Sequence, residues 1–281
     1  MSNYEQLSYE QRGPVTVITI NRPERMNAIG PQTHRELIDA WDRFRSDDDA
    51  LVGVLTGAGS TAFCAGGDLK AAAAGELVDP SPAEIAAHNR GERPGVLGPS
   101  RWTDIYKPTI AAINGVAYAG GLEWACWTDL AIADEHATFG VTCRRWNIGL
   151  ADGGTQRLTR ILGYRRAIEL IVTGRVIDAR EAERIGLVNE VVPKGTCVQR
   201  AIELAQTIAM LPQPALRTDL EAARTGLGRP LDDGLRIEAD CFNRSIAAAE
   251  TFEGLRQFNE RDHPDRRTDT VPVTPGLARS I

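Results

Sequence analysis

No stretch of this chain approaches the roughly 20 consecutive apolar residues that a membrane-spanning helix needs, so no membrane partner is expected. Cysteine is scarce and unpatterned. Cys64, Cys126, Cys143, Cys197 and Cys241 are odd in number, widely spread and without a Cys-x-x-Cys pair, which argues against a disulfide framework or a structural zinc site. The four histidines fall in no metal-ligand pattern, so no metal is expected. Basic charge is also short: 32 Lys and Arg stand against 38 Asp and Glu, a net charge of −6. Nucleic acid is therefore not the expected partner, because phosphate binding wants net positive charge. There is no Gly-x-Gly-x-x-Gly after the first strand and no Gly-Lys-Ser/Thr loop, which disfavours dinucleotide and P-loop chemistry. Met1–Gly13 is polar and carries Glu5, Glu10 and Arg12 where a secretory leader would be basic and then apolar. The expected location is cytoplasmic, with reduced thiols.

What remains is an ordinary globular composition, 42% hydrophobic and 25% charged over 281 residues, long enough to bury a core without covalent staples. Val15–Ile20 is a β-branched run and reads as a strand. Gly30-Pro31 opens a helix with Leu37, Ile38, Trp41 and Phe44 at helical spacing, ended by Asp47-Asp48-Asp49. Further strands are expected at Leu51–Thr56, Thr109–Ile113 and Leu130–Ala133. This alternation predicts an α/β layout. Gly75–Ser100, with four prolines and four glycines, reads as a flap with a short helix at Ala83–Asn89. Beyond Val192-Pro193 the pattern is helical: Val198–Ala209, Pro214–Ala223, Leu231–Ala249 and Thr251–Glu260. The expected organisation is a core over 1–197, a helical region over 198–262 and a poorly ordered tail over 263–281.

Three glycine-containing turns follow buried segments: Phe63-Cys64-Ala65-Gly66-Gly67-Asp68-Leu69, Asn114–Glu123 with Gly120-Gly121, and Gly149–Leu158 with Gly153-Gly154. Such turns either expose backbone N–H groups that bind negative charge or only permit close packing of strand on helix. In this order and spacing, together with Asn21–Ile29, Ala111–Gly115, Leu170–Gly174, Ala182–Val188 and Glu253–Phe258, they resemble the crotonase, or enoyl-CoA hydratase/isomerase, superfamily over nearly the whole chain.

The resemblance implies a crotonase-like spiral of β-β-α units, a helical C-terminal region that builds a homotrimer or dimer of trimers, and an acyl-CoA thioester as substrate. No cofactor is implied, since CoA is part of the substrate. The oxyanion donors correspond to the N–H groups of Gly67 and Gly120. Met26, Ala28, Ala65, Gly66, Asp68 and Leu69 correspond to the wall that receives CoA, although Asp68 also suits a loop or helix cap. The first catalytic glutamate of family hydratases corresponds to Glu123, a position that a helix-dipole glutamate could equally occupy.

The second glutamate is absent. Cys143 occupies its place, either as a small packing residue or as a thiolate whose pKa Arg144 and Arg145 lower. Asp152, directly before Gly153-Gly154, is either a substitute acid or a helix cap. Arg144 could pair with a carboxylate on the acyl chain or make a surface ion pair; Trp124 lines the acyl pocket or packs in the core. The expected activity is hydration or dehydration of a 2-enoyl-CoA through an oxyanion-stabilised enolate. Isomerisation, C–C bond hydrolysis and catalytically silent acyl-CoA binding remain as alternatives.

Overall fold

The β-branched run Val15–Ile20 forms β2, a strand with no exposed residue. It pairs antiparallel with β1 (Leu7–Arg12) and parallel with β3 (Val52–Gly57). The computed structural model describes residues 4–75, 86–87 and 94–259. From β3 onward each turn of the chain supplies two strands, one to each of two sheets. β3 is followed by β4 (Ala62–Cys64), β5 (Thr109–Ile113) by β6 (Val116–Tyr118), and β7 (Leu130–Asp134) by β8 (Thr138–Gly140). With β9 (Val176–Asp178) and β10 (Glu190–Val192), the sheets run β1-β2-β3-β5-β7-β10 and β4-β6-β8-β9. This is a mixed α/β fold with mostly parallel strands, built as a spiral.

Side-chain alternation along the larger sheet divides its two faces. Ile18, Ile20, Leu55, Ala111, Ile113 and Ala133 join the main core with α1 (Pro31–Ser46) and α3 (Gly120–Trp127). Val15, Val17, Val52, Val54, Ile110 and Ile132 face the other way, onto Cys197, Ala201, Ile202 and Ala205 of α7 (Cys197–Ala209). Each fully buried Val, Leu or Ile contributes about 1.5–3 kcal/mol, so both faces are firmly held. Within the main core Trp41 stacks on Trp124 with ring centroids 6.3 Å apart, and Trp127 meets both edge-on at 4.7 and 5.0 Å.

Short helices cover the spiral: α2 (Leu69–Ala73), α4 (Gly154–Leu162), α5 (Tyr164–Thr173) and α6 (Ala179–Arg184). The chain beyond α7 is helical, as the pattern predicts: α8 (Gln213–Gly226), α9 (Leu231–Ile246) and α10 (Ala249–Asn259). The two last helices break near Ala247, two residues before the expected end of the first. The expected helix at Ala83–Asn89 lies outside the described residues except for 86–87, and the tail lies outside them entirely. Among the described residues, no helix is long and apolar enough to cross a membrane.

Candidate active site

Three loops converge at the ends of β4, β6 and β8. The first runs Ala65–Leu69. Gly66 has φ +94, and a methyl group there would lie 2.8 Å from the Gly120 nitrogen and 3.1 Å from Ala119 Cβ. Only glycine lets the two turns meet backbone to backbone. The second turn is held by Ala119, a non-glycine residue at φ 50 and ψ −118. Such backbone costs on the order of 1–3 kcal/mol and persists where the surroundings force it. Gly120 opens α3, so no preceding helical carbonyl awaits its N–H. Among the described residues, the Gly67 N–H donates to no protein acceptor. The two peptides present a pair of donors of the kind that bind a developing oxyanion.

Beside them runs Met26–Ile29. Met26 and Asn27 both adopt left-handed backbone, at φ 52 and 54. The Asn27 amide satisfies the tight turn by donating to Ala58 and Ala62 carbonyls and accepting the Arg22 N–H. The segment is tied to the first turn: Ala65 N–H donates to Met26 O (3.0 Å), Ile29 N–H to Gly66 O (2.8 Å) and Asp68 N–H to Ile29 O (3.0 Å). Met26 and Leu69 remain open to solvent while Ala28 is buried. Asp68 is a cap. It accepts the N–H groups of Lys70 and Ala71 and an ion pair from Arg22 at 2.9 Å; these bonds outweigh its burial and hold its carboxyl below the usual range.

Glu123 sits in the first turn of α3, only 3% exposed. Its Oε1 accepts the N–H groups of Asp152 (2.9 Å) and Gly154 (2.8 Å). A methyl group on Gly154 would lie 2.8 Å from Glu123 Cγ, so the glycine makes room for the acid. Burial, and then the negative charge of Asp152, push the Glu123 carboxyl up to about 7, against the pull of the backbone amides. At neutral pH it is divided between acid and base forms, which suits proton transfer in both directions.

Asp152 is buried at 2% exposure, and it is not a helix cap. Gly153, at φ +99, precedes α4, and no side chain caps that helix. Instead Asp152 Oδ1 accepts the Leu97 N–H at 3.0 Å and the Ser100 hydroxyl. Arg157 Nη1 donates to the Asp152 carbonyl at 2.8 Å, which holds the Asp152-Gly153 peptide from behind.

Cys143 lies in a 3-10 turn, Thr142–Trp146, and is buried. Burial, then the charge of Glu123, raise its thiol pKa, and the nearby Arg144 does not overcome them. The surroundings thus favour the thiol over the thiolate, and the side chain packs within the main core. The exposed Arg144 donates from Nε to Ile171 O at 3.3 Å, which directs it toward α5. Trp124 is fully buried, with Nε1 donating to Leu97 O at 3.1 Å. The structure thus brings together Gly67, Gly120, Glu123, Asp152, Trp124 and Cys143. It adds Leu97 and Ser100, which lie in an irregular, proline- and glycine-rich segment and carry no sequence signal of their own.

Known proteins resemble this chain along most of its length. The enoyl-CoA hydratase/isomerase family profile matches residues 10–268. An enoyl-CoA hydratase of Mycobacterium tuberculosis is 35% identical, covering 91% of this chain and 94% of that protein. The (E)-benzylidenesuccinyl-CoA hydratase of Thauera aromatica is also 35% identical, over 92% and 97% of the two chains. Among solved structures, the enoyl-CoA hydratase of Bacillus anthracis superposes with a TM-score of 0.81 at 35% identity, covering 91% of this chain and 96% of that one.

Proposed function

Because this chain belongs to the enoyl-CoA hydratase/isomerase family, we propose that its hydratase-like activity runs through Gly67, Gly120 and Glu123. The N–H groups of Gly67 and Gly120 bind the thioester oxygen of a 2-enoyl-CoA, drawing electron density from C3. Glu123, ionised, takes a proton from water as the water oxygen adds to C3, and the enolate charge collects on the thioester oxygen. Glu123 then returns that proton to C2. Every atom of water ends in the product, and the glutamate is regenerated. Preorganised donors of this kind are worth about 3–4 kcal/mol each. The observation that carries the reading is the buried Glu123, fixed by two N–H groups beside the paired glycine turns.

A second reading follows from Cys143. With a protonated thiol in place of a second acid, and Asp152 engaged elsewhere, one carboxyl alone faces the chemistry. One carboxyl suffices to carry a proton between C2 and C4, as a double-bond isomerase requires. Incubation with 2-enoyl- and 3-enoyl-CoA separates the two: a 3-hydroxyacyl-CoA product supports hydration, and interconverted enoyl isomers without it support isomerisation. CoA enters as part of the substrate and no further cofactor is needed.

The CoA moiety is assigned to the wall formed by Met26, Ala28, Ala65, Gly66, Asp68 and Leu69, where exposed side chains border buried backbone. A trimer or dimer of trimers is supported by the apolar side chains left exposed on the C-terminal helices, including Leu231, Leu235, Phe242, Phe252 and Leu255. Light scattering tests the assembly; a monomer at micromolar concentration would contradict it.

A further inference from the structure

Residues 94–100 form a strap across the acid side of the paired glycine turns. Gly95 and Gly98 bridge to each other, and the strap is fastened at four points. Leu97 N–H and Ser100 Oγ both donate to Asp152 Oδ1; Trp124 Nε1 donates to Leu97 O; and Gly98 N–H donates to His34 Nδ1 at 2.8 Å. Ser100 is completely buried and Asp152 nearly so. Gly95 must be glycine here, since a methyl group would collide with both Ser100 Oγ and Asp152 Oδ1.

This fastening places the Leu97 side chain. Its Cδ1 occupies the space that a methyl group on Gly120 would need, and its Cδ2 lies 3.5 Å from the position of one on Gly67. The isobutyl group therefore spans the two glycines whose N–H groups are assigned to the thioester oxygen, and it is itself only 7% exposed. A thioester oxygen held by those two N–H groups therefore lies beside this side chain.

We propose that Leu97 is the specificity-determining residue for the acyl group, and that Asp152 is a positioning residue that holds it there through Ser100 and the strap. The inference rests on the assignment of Gly67 and Gly120 to the thioester. Leu97 confines the acyl channel, so slim, short chains are accepted and long ones are resisted. Asp152, although adjacent to Glu123, acts through the strap.

The test uses binding of saturated acyl-CoAs, which undergo no hydration. Calorimetry is run with butyryl-CoA and decanoyl-CoA on the wild type, Leu97→Ala, Leu97→Val and Ser100→Ala. The wild type is expected to favour butyryl-CoA. Leu97→Ala is expected to raise decanoyl-CoA affinity at least about tenfold relative to butyryl-CoA, roughly the gain of one well-placed apolar contact. Leu97→Val, less disruptive to folding, shows the same shift in smaller measure. Ser100→Ala and Asp152→Ala accelerate hydrogen exchange at the Leu97 amide and shift the preference in the same direction. Asp152→Asn, which keeps an acceptor oxygen, restores the wild-type preference. Butyryl-CoA binding with an unchanged chain-length ratio in both Leu97 variants would overturn the proposal alone. Failure of the wild type to bind either ester would overturn the thioester assignment, and this inference with it.

Discussion

Asp152 Oδ1 accepts the backbone N–H of Leu97 at 3.0 Å, so the carboxylate next to the candidate general acid is joined to the strap that borders the acyl site. Its charge still reaches Glu123. Like charges in a buried site raise each other's cost of ionisation, and Asp152 is the second contributor to the elevated Glu123 pKa. Asp152→Asn retains an acceptor but removes the charge. The rising limb of kcat/KM with pH, centred near 7 in the wild type, should therefore move to lower pH. A limb that stays in place would disconnect the two residues. Asp152→Ala additionally leaves the Leu97 N–H and Ser100 hydroxyl unpaired, at a cost of about 1–3 kcal/mol in stability.

Glu123 itself is held at a cost to the fold. Below about pH 4.5 it is protonated whether the chain is folded or not, so ionisation makes no difference there. Between 4.5 and about 7 the unfolded chain releases the proton while the folded chain keeps it, so wild-type stability falls as pH rises through that window. Glu123→Gln keeps an oxygen for the Asp152 and Gly154 N–H groups and has no charge to bury. It should gain stability over the wild type as pH rises, approaching about 3 kcal/mol near pH 8 and vanishing near pH 4. Denaturant midpoints at both pH values measure this, and an equal difference at the two would refute it.

Gly154 lies against the same side chain. In Gly154→Ala the new methyl group meets Glu123 Cγ at 2.8 Å, and one of the two has to move. Displacement of a reacting group by about 1 Å costs up to 100-fold in rate. The variant should lose kcat by about that factor while keeping its affinity for saturated acyl-CoA. A parallel loss of binding would show that the loop, and not the acid, had been disturbed.

Cys143 stands where a second acid is expected, yet its thiol is held neutral by burial and by Glu123. Cys143→Ser should change turnover by less than about tenfold, equivalent to ~1.4 kcal/mol of barrier. A hundredfold loss, measured on the best enoyl-CoA substrate, would restore a chemical role for the sulfur.

Much of the fold was legible where strands were long and β-branched: Val15–Ile20 and Thr109–Ile113 begin and end where their residues indicate. The three-residue strands Ala62–Cys64, Val116–Tyr118 and Thr138–Gly140 were not. Three residues carry no periodicity, and these become strands only because the spiral lays them side by side. The glycine turns and Glu123 were legible as a family pattern, and the structure brings them into one site. Asp152 was noticed, but its partners were not. Leu97 and Ser100 come from a segment without a repeating pattern, and hydrogen bonds between distant loops leave no local trace in composition. The elevated Glu123 pKa was equally hidden, since it arises from burial and from a neighbour 29 residues away.

The central claim is that Glu123 moves the proton at C2. Its most direct test is mass-spectrometric detection of deuterium at C2 when 2-enoyl-CoA is incubated in D2O with the wild type and with Glu123→Gln. The account predicts a 3-hydroxyacyl-CoA carrying one deuterium at C2 with the wild type. It predicts at least about a hundredfold slower incorporation with Glu123→Gln, the usual size of lost general acid–base catalysis, with saturated acyl-CoA binding retained. Deuterium incorporation by Glu123→Gln at the wild-type rate would contradict it.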